Sequence, residues 1–276
     1  MSANRTNKSL PTLKPKTEEL LYLLLWSCEM LSRPTWLNLT ESFEGWAYRN
    51  GFHRQLARLE RLQLVERAEQ AADERVHRLT EAGRLWALGG RDPETCWRRP
   101  WDGRWRLVLS DVPLGQDAAR NKLRGYLRDR GFGYLQNSVW ITPDPLTNER
   151  QILAGGAVNV ESLILLEARP CAGESDAEIV AGAWDFDLIN RRYAKLLEVV
   201  GQRPRGRLIT DAAAKAFQRW ARQEREAWNE AVSNDPLLPA CLLPSGYLGR
   251  KAWRERCASL AAAAEQTRAF TAASPA

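Results

Sequence analysis

Three arginines in one short stretch have the clearest potential for chemistry in this sequence. The spacing of apolar residues over 52–62 predicts a helix with one apolar face. Arg54, Arg58 and Arg61 fall together on the opposite face at 100° per residue. A guanidinium group is a planar fork that suits phosphate oxygens and guanine edges. The pattern makes this helix a candidate for contact with nucleic acid.

The elements around this helix indicate how it would be positioned. An apolar helix is predicted over 17–31, a second helical segment over 40–49, and two short strands over 64–68 and 75–79. Helix, helix, basic helix and hairpin make a winged helix, in which the basic helix enters the major groove and the hairpin touches the backbone. The candidate DNA-contacting residues are His53, Arg54, Gln55, Arg58, Arg61, Arg75 and His77.

A simpler interpretation of the basic helix is a solvated surface, which is what most arginine-bearing outer faces are. The order of the surrounding elements argues against it here. Arg75, His77 and Arg78 also add basic character to the predicted hairpin, which a solvated face would not require.

A different pattern begins after a linker predicted at 91–100. A strand is predicted over 105–111, a helix over 116–130, a strand pair within 131–141, a weak helix over 146–154 and an apolar strand near 160–168. The order βαββαβ is that of a ferredoxin-like sandwich. We therefore expect an α+β protein with a tail at 1–16, a winged-helix domain at 17–90, a ferredoxin-like domain at 101–172 and a helical C-terminal domain at 173–276.

Composition narrows the function classes. The chain of 276 residues has 40 Lys+Arg against 34 Asp+Glu, and its formal charge of +6 mildly favours an anionic partner. Its five cysteines form no C-x-x-C pair and it has two histidines, which argues against a metal site. The N-terminus is polar and the apolar run at 20–26 is far too short to span a bilayer. We expect a cytoplasmic protein without cofactor.

Four segments resemble the PaaX family, regulators of phenylacetate degradation and related aromatic catabolism. They are WDGRWRLVLSDVP at 101–113, GFGYLQNSVWI at 131–141, WDFDLINRRYAKLL at 184–197 and DPLLPACLLPSGYLGRKA at 235–252. The resemblance implies a repressor that binds double-stranded operator DNA as a homodimer and is released by an acyl-coenzyme A thioester of an aromatic acid. The sequence departs from the family pattern at Ser245-Gly246-Tyr247, where an acidic residue and tryptophan are commoner.

The middle segments also resemble the small CRISPR-associated ferredoxin-like adaptation protein. In that protein an aspartate at the end of the first strand can bind magnesium between subunits, and Asp111 occupies this position. The alternative function is thus a metal-dependent nuclease. Asp102 and Asp117 flank the strand rather than share its end, and an aspartate before Val-Pro commonly caps a turn. We therefore predict a protein that is not an enzyme, with no catalytic residues.

A tryptophan cluster allows two interpretations. Trp97, Trp101 and Trp105 lie beside several arginines, which is a composition that could stack on bases or on the adenine of coenzyme A. Packing between domains is the commoner role of such a cluster.

Overall fold

The structure is a computed structural model of the chain. It describes residues 53–69, 75–88, 90–110, 117–136, 138–146, 163–206 and 210–273. The chain divides into two compact units. The first draws on Met1–Asp92, Leu197–Arg225 and Trp253–Ala276, and the second on Pro93–Leu196 and Glu226–Ala252. The predicted domain boundaries stay a prediction.

The first described elements are a helix and a hairpin. Helix α1 spans His53–Arg61, strand β1 Val65–Glu69, strand β2 Arg75–Leu79 and helix α2 Glu81–Ala87. The two strands are antiparallel, from Val65 opposite Leu79 to Glu69 opposite Arg75. The bounds of α1, β1 and β2 differ from the sequence prediction by one residue at most, and α2 was not predicted. The tail at 1–16 and the helices predicted at 17–31 and 40–49 lie outside the described residues.

The predicted linker contains helix α3, Pro93–Arg98. Proline is favoured at the first helical position because its fixed φ suits the helix and its missing N–H would have no partner there. Trp97 is buried and anchors this short helix in the second unit.

The second unit is built around a four-stranded antiparallel sheet. Its elements are β3 (Trp105–Ser110), α4 (Asp117–Asp129), β4 (Gly133–Gln136), β5 (Val139–Thr142) and β6 (Leu163–Ala168). The strand order is β4-β5-β3-β6, so the first strand of the sheet lies between the last two in sequence. A βαββαβ chain gives this order in a ferredoxin-like sheet. Most of the weak helix predicted at 146–154 lies outside the described residues.

Both faces of this sheet carry apolar cores. On one face Val108 and Trp140 pack with Leu123 and Leu127 of α4. The opposite face holds a second cluster, which includes Trp105, Ile141, Trp184, Leu238 and Leu242. Because alternate residues of a strand point to opposite faces, β3 contributes to both clusters.

Helices make up most of the remaining chain. They are α5 (Asp176–Ala183), α6 (Phe186–Gly201), α7 (Asp211–Ser233) and α8 (Gly249–Ala273), with a 3-10 turn at Ala240–Leu242. Trp220 and Trp228 of α7 are 3% and 0% exposed, so both side chains serve packing. No helix in the described ranges is long and apolar enough to cross a membrane.

Candidate nucleic-acid interface

Helix α1 separates an apolar face from a basic one. Leu56 and Leu59 are 8% and 0% exposed and fix the inner face. Arg54 and Arg61 are exposed and Arg58 is half-buried. At 100° per residue the three arginines span an arc of about 60°. The structure thus brings these three predicted residues onto one face, with half-buried Gln55 beside them.

Thr80 fixes the hairpin to the turn that follows α1. Its hydroxyl donates a 2.6 Å hydrogen bond to the backbone oxygen of Gln63 and accepts one of 3.0 Å from the backbone N–H of Gly83. The second bond makes Thr80 the N-cap of α2. Gly83 lies so close to the backbone of Leu64 that a Cβ there would meet its oxygen at 1.9 Å. The basic helix and the hairpin are therefore held in a defined relation.

The pairing of β1 with β2 fixes the backbone positions of two other predicted DNA-contacting residues. Arg75 lies opposite Glu69 and His77 opposite Arg67. The structure describes the backbone of β2 at Arg75 and His77 and the backbone of α1 at His53. The positions of these three side chains stay a prediction.

An acidic cleft lies between the end of α1, β1 and the start of α2. It has a volume of about 730 Å³, and its lining includes Glu60, Glu66 and Glu81. Carboxylates on this side would repel a nucleic acid, whereas the arginine face would attract one. The module is thus electrostatically polarised.

A second cluster of functional groups surrounds Asp235, which is 1% exposed. The hydroxyl of Tyr193 donates a 2.6 Å hydrogen bond to Asp235 Oδ2, and the hydroxyl of Tyr247 donates to the same oxygen. The backbone N–H of Leu237 donates to Oδ1 at 2.8 Å. Burial, reinforced by the Asp235 carboxylate, raises the pKa of both tyrosines above the usual value.

Two further side chains hold the Leu-Pro segment that follows Asp235. Asn190 donates to the backbone oxygen of Gly246 at 3.1 Å and accepts from the N–H of Leu248 at 2.9 Å. Arg99 donates to the backbone oxygen of Leu237 and forms a 2.6 Å ion pair with Asp144. The contacts of Asn190 and of Arg99 lie within the second unit. They hold the path of the segment's backbone and do not form an open pocket.

The tryptophan cluster is mainly packing. Trp97 and Trp105 are 6% and 1% exposed, and the indole N–H of Trp105 donates to Asp176 at 2.8 Å. Trp101 is half-buried, with its ring 5.4 Å from that of Trp105. Two of the three rings therefore lack the open face that base stacking needs.

The first unit contains a fully buried ion pair. Arg256 Nε lies 2.6 Å from Glu224 Oε1, and both side chains are 0% exposed. Burial raises the pKa of Glu224, and the charge of Arg256 opposes that shift. Two charges removed from water in this way carry a large desolvation cost, which their mutual attraction offsets.

The nuclease alternative depends on the position of Asp111. Asp111 lies outside the described residues. Among the residues that the structure describes, no group of three or more histidine, cysteine, aspartate and glutamate side chains is placed to hold a metal ion.

Sequence reasoning missed the buried polar contacts. Tyr193 lies 42 residues before Asp235 and Tyr247 lies 12 residues after it, and no helix or strand periodicity connects the three. Thr80 did leave a signal, since a threonine directly before an acidic residue and a helical stretch is typical of an N-cap.

Comparison with known proteins agrees with this architecture. The family model of the PaaX protein central Cas2-like domain matches residues 98–180, and that of the PaaX-like protein C-terminal domain matches residues 184–273. The transcriptional repressor PaaX of Escherichia coli is 28% identical over 168 residues, which cover 58% of this chain and 51% of the repressor. The chain thus spans about half the length of that curated relative.

A solved structure extends the comparison to most of the chain. The uncharacterized protein Rv0674 from Mycobacterium tuberculosis aligns with a TM-score of 0.53 and 22% identity, covering 93% of this chain and 99% of that chain. At this level of identity the match supports the fold alone.

Proposed function

The chain belongs to the PaaX-like proteins, and from this premise we propose that it is a DNA-binding transcriptional regulator that represses its target genes. The observation that carries the proposal is the arginine face of α1, held by buried Leu56 and Leu59 and by the Thr80 contacts. A regulator needs such a rigid basic element to read DNA. The similarity to a named repressor supports the same function.

In the proposed complex, α1 is the recognition helix of a winged helix and the β1–β2 hairpin is its wing. Arg54 and Arg58 enter the major groove, where an arginine can pair with the O6 and N7 atoms of guanine. His53, Gln55 and Arg61 extend this surface. Arg75 and His77 contact the phosphate backbone from the wing.

We further propose that the regulator acts as a homodimer in the cytoplasm of a bacterium. One winged helix reads few base pairs, so useful specificity calls for two modules on a palindromic site, about one helical turn or a multiple apart. The proposed release signal is an aryl-coenzyme A thioester, as the family resemblance implies. This would connect the protein to aromatic catabolism without making it an enzyme.

The test is selection of a binding site from a randomised duplex library, followed by titration of the protein against that site. The double variant Arg54→Ala, Arg58→Ala should lose about 1–3 kcal/mol for each arginine that pairs with a base, whereas a lost phosphate contact should mainly lower the salt dependence. The matched control is Arg219→Ala, Arg222→Ala, which removes two exposed arginines of α7.

Retention of full affinity by the Arg54, Arg58 variant would contradict the placement of α1. Footprinting of the same complex should show two related half-sites. A single unrepeated half-site bound by a monomer would contradict the proposed dimer.

A further inference from the structure

The outer face of α4, in the second unit, is a basic surface that has no role in the DNA contacts proposed for helix α1. Leu123 and Leu127 are 2% and 0% exposed and hold the helix on the sheet. Arg120, Arg124 and Arg128 follow at intervals of four residues, and this row turns from the edge of the core at half-buried Arg120 to the solvent side at Arg128. Arg124 and Arg128 are exposed.

Among the described residues, one ion pair offsets part of the positive charge on this face. Arg120 forms a 2.6 Å ion pair with Asp117 in the first turn of the helix. By contrast, no carboxylate of the described residues lies within 4 Å of Lys122, Arg124 or Arg128. Such a face attracts an anionic partner and repels a basic one.

Gly125 sits next to this arginine row, on the outward side of α4. A Cβ at this position would meet nothing within 4 Å, so the protein's own packing does not require a glycine there. Glycine inside a helix costs about 0.5–1 kcal/mol relative to alanine. A bare backbone at this point lets another surface approach the helix closely, which is one of the uses of glycine.

We infer that the Arg124–Arg128 face of α4 is a second DNA-contacting surface, which binds the phosphate backbone of the duplex. The inference rests on the proposed function, since it adds contacts to a complex that α1 forms. Four helical residues rise about 6 Å, so the two guanidinium groups can address separate phosphates of one strand. Arginine is the side chain best shaped for phosphate, and contacts of this kind add affinity without reading sequence.

The test compares Arg124→Ala, Arg128→Ala with a matched control, Arg191→Ala, Arg250→Ala. The control removes two exposed arginines of the same unit, from α6 and α8, and changes the net charge equally. Each protein is titrated against the selected duplex, extended by random flanks, over a series of salt concentrations. All four arginines are exposed, and unchanged urea denaturation would establish that the variants are folded.

We expect the Arg124, Arg128 variant to bind at least tenfold more weakly than the control near 0.1 M salt. The slope of log K against log salt should shrink by about 1.8 for each chain, or about 0.9 for each lost phosphate contact. The ratio of affinities for selected and mutated half-sites should not change, because the lost contacts read no bases.

Affinity and salt slope equal to those of the control would overturn the inference. If binding nevertheless depends on Arg54 and Arg58, the proposed function survives that outcome and only the second surface fails. A wild-type protein that selects no duplex at all would instead overturn the proposed function.

Discussion

Removal of the two tyrosine hydroxyls around Asp235 should destabilise the protein strongly. Tyr193 and Tyr247 both donate to Oδ2 of this buried carboxylate, while Leu237 N–H occupies Oδ1. A hydrogen bond to a charged group contributes about 1.5–3 kcal/mol, and we expect a loss of that size for Tyr193→Phe or for Tyr247→Phe. The double variant leaves Oδ2 without either donor and should lose at least the sum, about 3–6 kcal/mol.

Urea denaturation measures the free energy of unfolding of the wild type, the two single variants and the double variant. The four values form a double-mutant cycle. Tyr134→Phe is the control, since Tyr134 is 40% exposed and its hydroxyl should contribute less than about 0.5 kcal/mol. Loss of less than about 0.5 kcal/mol for Tyr193→Phe would refute the view that the buried carboxylate depends on these donors.

The stability of the double variant should also depend on pH differently from that of the wild type. The raised pKa values mean that the folded protein keeps both phenols protonated where unfolded tyrosines begin to ionise, near pH 10. The folded state then binds more protons than the unfolded state, so stability falls as the pH rises from about 10, by about 1.4 kcal/mol per pH unit for each tyrosine. The Tyr193→Phe, Tyr247→Phe protein should lose this alkaline slope, and a slope equal to wild type would contradict the assignment.

Two further predictions concern charged groups. Arg256→Met should cost about 3–5 kcal/mol in urea denaturation because it leaves Glu224 buried without its partner, whereas the double variant Glu224→Leu, Arg256→Met should recover most of that loss. A double variant less stable than Arg256→Met would contradict this account. Asp111→Asn should leave operator affinity unchanged, and wild-type protein should not cleave DNA or RNA with magnesium, since the region offers one candidate acid per chain. Metal-dependent cleavage that vanishes in Asp111→Asn would overturn the regulator-only proposal.

Elements with strong periodicity could be predicted from the sequence. The faces of α1 follow from the spacing of two leucines and three arginines, and burial of Leu56 and Leu59 matches that pattern. The strand at Trp105–Ser110 and the helix at Asp117–Asp129 were predicted within one residue at each end. In the two helices α1 and α4, local spacing alone decides which side is buried.

Contacts between distant residues could not be predicted in this way. Asp235 lies 42 residues from Tyr193, and Arg99 lies 45 residues from Asp144. The order of residues along the chain carries no information about which polar groups meet after folding. For Trp105 the sequence left two roles open, stacking and packing, and its place in β3 decides for packing because the ring turns into the core.

The absence of a side chain at Gly249 leaves the space that the Tyr247 hydroxyl occupies. A Cβ at Gly249, the first residue of α8, would lie 2.1 Å from the Tyr247 hydroxyl oxygen. The ring cannot move aside easily, because Asp235 holds its hydroxyl and the rings of Trp97, Phe186 and Tyr193 surround it at centroid distances of 6.1, 5.9 and 5.9 Å.

Gly249→Ala should therefore lose about 2–4 kcal/mol, from overpacking and from the weakened bond to Asp235, although alanine is the better helix former. Gly246→Ala is the matched control three residues earlier, where an added Cβ meets nothing within 4 Å, and it should change stability by less than about 1 kcal/mol. Urea denaturation of the two variants measures the difference. Equal stability of the two proteins would mean that Tyr247 is free to shift, and the tight packing inferred around Asp235 would then be wrong.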